Sequence, residues 1–120
     1  MSGSIPERRV PTHPGTILRE DILPALPMSQ ARIAEILHLS RQHFSRILNG
    51  QNPVTAETAV KLGRFFNNNP QFWLNLQNKY DVWEARQKLR MQLSKIGEAR
   101  AQMASSLALR DDKESEAGGV

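Results

Sequence analysis

The densest group of residues able to do chemistry lies at positions 40–49, where the chain reads Ser-Arg-Gln-His-Phe-Ser-Arg-Ile-Leu-Asn. On a helix, Phe44, Ile47 and Leu48 share one side, and Arg41, Gln42, Ser45, Arg46 and Asn49 share the other, with His43 alongside. Those outward types suit nucleic acid. Arg makes paired hydrogen bonds to guanine, and Gln makes them to adenine. No Asp or Glu falls between Gln42 and Asn52 to repel phosphate. Gln30 and Ser40 stand where two helices are expected to start. Side chains and free backbone N–H groups at such places hold phosphate oxygens.

Other chemistries find less support. His13, His38 and His43 are the three histidines, and cysteine is absent. Thiolate metal sites and disulfides are therefore excluded, and no carboxylate is spaced to complete a histidine metal site. No glycine-rich phosphate loop or nucleophile motif occurs. No metal, cofactor or catalytic residue is expected. A small basic RNA-cleaving enzyme is the enzymatic rival, because His, Arg and Lys alone can serve such a reaction. The lack of a paired acid and base argues against it. The formal net charge of +4 favours an anionic partner. The cysteine-free composition suits a reducing compartment. No apolar run approaches the roughly 20 residues that span a bilayer, and no apolar signal core opens the chain. A cytoplasmic location with no membrane partner is the expectation.

Positioning the 40–49 face requires helices before and after it. Residues 1–11 hold Pro, Gly, Ser, Arg8 and Arg9 and read as a flexible basic arm. A first helix opens at Thr12-His13-Pro14, with Thr12 or His13 capping and Pro14 at the first helical position. Pro24 and Pro27 end it at about Leu23. Ser29 caps a helix over about 30–37, with Ile33, Ala34 and Leu37 inward. His38-Leu39 turns the chain, and Ser40 caps a helix over about 41–49 that Asn49-Gly50 ends. Thr55 caps a fourth helix over about 56–67, in which Gly63 implies close packing. A fifth starts at Asn69-Pro70. With no Pro from Gln71 to about Leu109, it can run far, and Gly97 is the one strong breaker in it. Val82, Leu89, Ile96 and Met103 recur every seven residues, the spacing of a partial coiled coil or a helix laid on a partner.

The fold class is thus all-α: a five-helix DNA-binding domain with a C-terminal helical extension. The domain spans 12–82, with the helix-turn-helix at about 29–50. The extension covers 83–110, and 111–120 is expected to be a disordered tail. Within 29–50, Ala34 sits at the crossing of two short helices, and Ile33, Leu37, Phe44 and Ile47 close the angle between them. The first helix then crosses the DNA backbone while the second enters the major groove.

One recognition helix reads few base pairs, so a homodimer spanning two half-sites is expected. Phe72, Trp73, Leu76 and Tyr80 fall at helical spacing on one face. They serve as core, above all Phe72 and Leu76, or with Gln77 they edge a two-fold interface, for which Trp73, Gln77 and Tyr80 have suitable polar tips.

Gln30-x-x-x-Ala34, the turn His38-Leu39-Ser40 and Phe44-x-x-Ile47-x-Asn49-Gly50 resemble the Cro and lambda-repressor (XRE-type) helix-turn-helix family. His38 stands where that family usually has Gly. The resemblance implies base contacts from Arg41, Gln42 and Arg46, and phosphate contacts from Gln30, Ser40, His43, Ser45 and Asn49. A narrower likeness covers about residues 12–82. His13-Pro14-Gly15-x-x-Leu18-Arg19-Glu20, Leu48-Asn49-Gly50 and Asn69-Pro70-Gln71-Phe72-Trp73-Leu74-Asn75-Leu76-Gln77 resemble the HigA antitoxins. That likeness implies a homodimer that binds its own double-stranded operator DNA and neutralises a HigB-like toxin, a ribosome-dependent mRNA endonuclease. A stand-alone XRE-type repressor without a toxin is the alternative.

Overall fold

The computed structural model describes residues 10–116, with side chains through residue 108. Among the described residues every regular element is helical. The elements are α1 (Pro14–Ile17), α2 (Gln30–Ile36), α3 (Arg41–Leu48), α4 (Ala56–Phe66), α5 (Pro70–Lys88) and α6 (Arg90–Glu116). They fall into two compact units, Met1–Trp83 and Glu84–Val120. Arg8 and Arg9 of the basic arm lie outside the described residues.

The caps come from side chains suited to the task. Gly15 N–H donates to His13 Nδ1 at 2.9 Å, and Pro14, with no N–H to satisfy, follows the cap. Ser29 Oγ accepts from Arg32 N at 3.1 Å, Ser40 Oγ from His43 N at 3.0 Å, and Thr55 Oγ1 from Thr58 N at 3.3 Å. Each such cap contributes about 1 kcal/mol. Gly50, at φ 75°, follows the end of α3, and Asn67, at φ 57°, closes α4. The left-handed turn lets Asn68 N donate back to Gly63 O at 2.9 Å.

The first helix departs from the expected single α-helix ending near Leu23. After α1 the chain widens into a π-helical turn over Leu18–Ile22, then tightens into a 3-10 turn over Leu23–Ala25. Pro24 supplies the reason. Its ring collides with the carbonyl four residues earlier in a regular α-helix and it has no N–H to donate. The widened turn moves that carbonyl aside, and Leu23 N donates to Leu18 O instead.

The core of the first unit is built from Leu18, Ile33, Leu37, Phe44, Ile47, Leu62 and Trp73, with Ala34 and Ala59 where helices come close. Burying each larger side chain contributes about 1.5–3 kcal/mol. Gly63 packs as expected: a Cβ there would lie 2.7 Å from Asn68 O and 3.2 Å from the Pro70 ring.

Two further expectations need correction. The long helix is interrupted at Leu89, between α5 and α6, and Gly97 lies inside α6. The bonds Leu89 N to Ala85 O and Leu93 N to Leu89 O, 2.9 and 2.8 Å, remain of helical type, so the interruption is slight. Nor is the whole of 111–120 an unstructured tail, because the helical backbone runs on to Glu116. With no Pro or Gly between Gly97 and Glu116, nothing local stops it. No described helix is long and apolar enough to cross a membrane.

Candidate nucleic-acid interface

α2 and α3 are joined by a turn whose backbone needs are met internally. His38, where the resembled family usually has Gly, adopts φ 56°, the left-handed conformation that glycine takes most readily. His38 N donates to Glu35 O at 3.1 Å and Leu39 N to Ala34 O at 2.9 Å. From α4, Lys61 Nζ donates to His38 O at 3.2 Å, so a cation holds the turn from behind. Ala34 is buried at the crossing, where a longer side chain would force the helices apart.

On α3, Phe44, Ile47 and Leu48 face the core. Arg41, Gln42, Arg46 and Asn49 are exposed, and His43 and Ser45 are half-buried beside them. Ser40 and Gln30 are exposed at the starts of α3 and α2. The structure thus brings all eight expected DNA-contacting residues to the two helix starts and the outer side of α3. Such a face can place Arg forks and an amide against base edges, with hydroxyls and helix starts toward phosphates.

The far end of α3 is fastened by a residue that sequence reasoning treated only as part of a motif. Arg19 Nη1 donates to Leu48 O at 3.2 Å and to Asn49 Oδ1 at 3.3 Å, while Nη2 pairs with Glu20 at 2.8 Å. A guanidinium on the last carbonyls of a helix meets unsatisfied acceptors and the negative end of its dipole. Asn49 is therefore held through its oxygen, and its amide N–H groups are what it can offer a phosphate. The loop after α3 folds back as well: Gln51 N and Asn52 N both donate to Arg46 O, at 2.8 and 3.1 Å.

The expected dimer face on α5 needs correction. Trp73 is buried in the core of the first unit, edge-on to Phe72 at 5.0 Å, with Nε1 donating to Asn68 Oδ1 at 3.1 Å. Gln77 is buried too. Its Oε1 accepts from Val54 N at 2.8 Å and its Nε2 donates to Asp81 Oδ1 at 2.8 Å. Neither side chain is available to edge an interface. Phe72 is exposed, whereas Leu76 and Tyr80 are half-buried, with Tyr80 edge-on to His13 at 5.0 Å. The inward face runs through 73 and 77, one position on from 72 and 76. Adjacent apolar residues at 72–73 and 76 left the two registers hard to separate by spacing. Gln77 itself left no apolar signal to follow.

The helix-turn-helix family model matches residues 19–73. Antitoxin HigA-1 of Vibrio cholerae is 32% identical over 81 residues, which cover 68% of this chain and 76% of that protein. The chain belongs to the HigA family of helix-turn-helix proteins. An uncharacterized helix-turn-helix transcriptional regulator of Haemophilus influenzae is 41% identical over 86 residues, 72% of this chain and 80% of the relative. The solved structure of the Pseudomonas aeruginosa antitoxin HigA with the higBA promoter is similar at 36% identity and TM-score 0.65, over 69% of this chain and 90% of that one. Members of the HigA family are DNA-binding antitoxins and regulators, and the described residues carry that fold. Its His-Pro-Gly opening has a physical role here: His13 caps, Pro14 starts the helix, and Gly15 lets the backbone approach α3.

Proposed function

We propose that the chain is the antitoxin of a type II toxin–antitoxin pair. As a homodimer it binds and represses its own operator, and it neutralises a HigB-like mRNA endonuclease. The observation that carries the DNA half is the outward, acid-free face of α3, with Arg41, Gln42 and Arg46 exposed and Ser40 capping at its start. Arg41, Gln42 and Arg46 read bases. Gln30, Ser40, His43, Ser45 and Asn49 hold phosphates. Two subunits place their α3 helices about 34 Å apart on one side of the duplex, which calls for a two-fold symmetric site. The likeness to a HigA solved with its promoter supports this reading.

The toxin half rests on the family. A stand-alone repressor is the second reading, favoured by the Haemophilus influenzae relative, which is named as a transcriptional regulator. Catalysis is not part of the proposal. His13, one of three histidines, is buried with its Nδ1 accepting from the Gly15 amide, so that nitrogen is not displayed to a substrate.

Co-expression with the adjacent reading frame tests both halves. The expected result is a co-purifying toxin whose RNA cleavage stops when this chain is present, with a protected palindrome in the shared promoter. Protection of the promoter with no partner and no rescue would leave the repressor reading standing and overturn the antitoxin one.

A further inference from the structure

α6, together with the half-buried Leu89 that precedes it, carries a mostly apolar seam that is exposed from Leu93 onward. Leu89, Leu93, Ile96, Arg100, Met103 and Leu107 follow one another at alternating intervals of four and three, the spacing that keeps a seam on one side of a helix. Leu93 is 42% exposed, Ile96 61%, Met103 50% and Leu107 41%. Gly97, within this stretch, has open space where a Cβ would stand. A long helix with such a face is normally held by packing of that face rather than by propensity.

We propose that this seam is a self-association surface, on which α6 of one chain pairs antiparallel with α6 of a second copy, about a two-fold axis level with Glu98. The place of Arg100 in the seam selects the direction, and the spacing of the seam and its flanks about residue 98 is self-complementary. In parallel register Arg100 meets Arg100 of the other copy inside the seam, a like-charge contact. Antiparallel pairing about residue 98 sets Leu89 opposite Leu107, Leu93 opposite Met103 and Ile96 opposite Arg100. The Arg100 stem then lies on an isoleucine while its charged end reaches water. The flanks agree. Gly97 meets Gly97 on one side of the axis and Ala99 meets Ala99 on the other, which allows close approach at the crossing. Further out, Arg90 falls near Ala104 and Gln92 near Ser106, neither of them a pair of like charges. Every contact is reciprocal, as a two-fold interface requires.

This inference goes beyond the operator reading and needs no DNA. Because the chain has no cysteine, single cysteines report the geometry directly. The full-length chain is prepared as Ala99→Cys, Leu89→Cys and Leu107→Cys and treated with a short bismaleimide. The expected result is efficient dimer cross-linking of Ala99→Cys, and of Leu89→Cys mixed with Leu107→Cys. Leu89→Cys alone should stay monomeric on a denaturing gel, because its two copies lie about 27 Å apart at a rise of about 1.5 Å per residue. Strong cross-linking of Leu89→Cys alone would establish parallel pairing and overturn the proposal. Failure of both Ala99→Cys and the mixture would overturn self-pairing itself and assign the seam to another partner. Promoter protection is assayed separately, so the two readings fail independently.

Discussion

The backbone of Gly15 lies against the carbonyl of Ile47, so close that a Cβ on Gly15 would overlap the Ile47 oxygen. The first helix therefore rests directly on α3, main chain to main chain. Gly15→Ala forces the two apart. Overpacking of this kind costs about 1–3 kcal/mol and more where backbone must move. The opposing atom here is backbone, so about 3 kcal/mol is expected from urea unfolding, with weaker operator binding. An unchanged unfolding midpoint would show that the contact is looser than described.

A second joint ties the loop after α3 to α5 through the buried Gln77, which accepts from Val54 N–H. Gln77→Leu keeps the volume and removes the acceptor, leaving a buried N–H unpaired. The expected loss is about 1–3 kcal/mol. Gln77→Glu should be milder, because a carboxylate still accepts from Val54, although it loses the bond to Asp81 and brings a second negative charge beside it. Equal stability of wild type and Gln77→Leu in thermal unfolding would remove Gln77 from the frame.

Much of this frame was legible in the residues. Ser29, Ser40 and Thr55 cap where local chemistry requires, and the inward faces of α2 and α3 follow their apolar spacing. The outer face of α3 was legible for the same reason, being the complement of Phe44, Ile47 and Leu48. Joints between distant segments were not. Arg19 reaching Leu48 and Lys61 reaching His38 depend on how helices pack, and a charged residue on a helix gives no sign of which carbonyl it will meet. The α5 register was not legible because Phe72 and Trp73 compete for one inward place, and Trp73 takes it with its Nε1 bonded to Asn68 Oδ1.

His38 holds a left-handed backbone, φ 56°, at the turn between α2 and α3. A residue with a Cβ pays about 1–2 kcal/mol there, and glycine does not. Part of that gain is returned through the greater freedom of glycine when unfolded. His38→Gly should therefore raise stability by up to about 1 kcal/mol while operator affinity stays within twofold. Destabilisation would mean that the imidazole makes a contact worth more than the backbone relief.

Arg19 grips the end of α3 from a partly exposed position, its side chain 42% accessible. Its pairing with Glu20 adds little in water, so Arg19→Ala should change the melting temperature only slightly. Losing the bonds to Leu48 O and Asn49 Oδ1 frees the helix end to fray and Asn49 to turn. Operator affinity should fall several-fold, about 1 kcal/mol. Arg19→Lys should recover part of it. Equal affinity of Arg19→Ala and wild type in a mobility-shift titration would show that Asn49 needs no holding.

Arg46 and Arg41 separate base reading from charge attraction. Both are exposed on α3, and removing either takes away one cation. If a side chain serves only phosphate, its alanine variant weakens binding to operator and random duplex alike, and the salt slope falls by about one. If it reads a base, operator affinity drops by about 1–3 kcal/mol while random-sequence affinity falls far less. The second pattern is expected for Arg46→Ala, with an unchanged far-UV circular dichroism spectrum, because the side chain supports no part of the core. Parallel titrations against operator and scrambled duplex at two salt concentrations distinguish the patterns. An equal loss on both duplexes would move Arg46 from the bases to the phosphates and turn the docked α3 about its own axis.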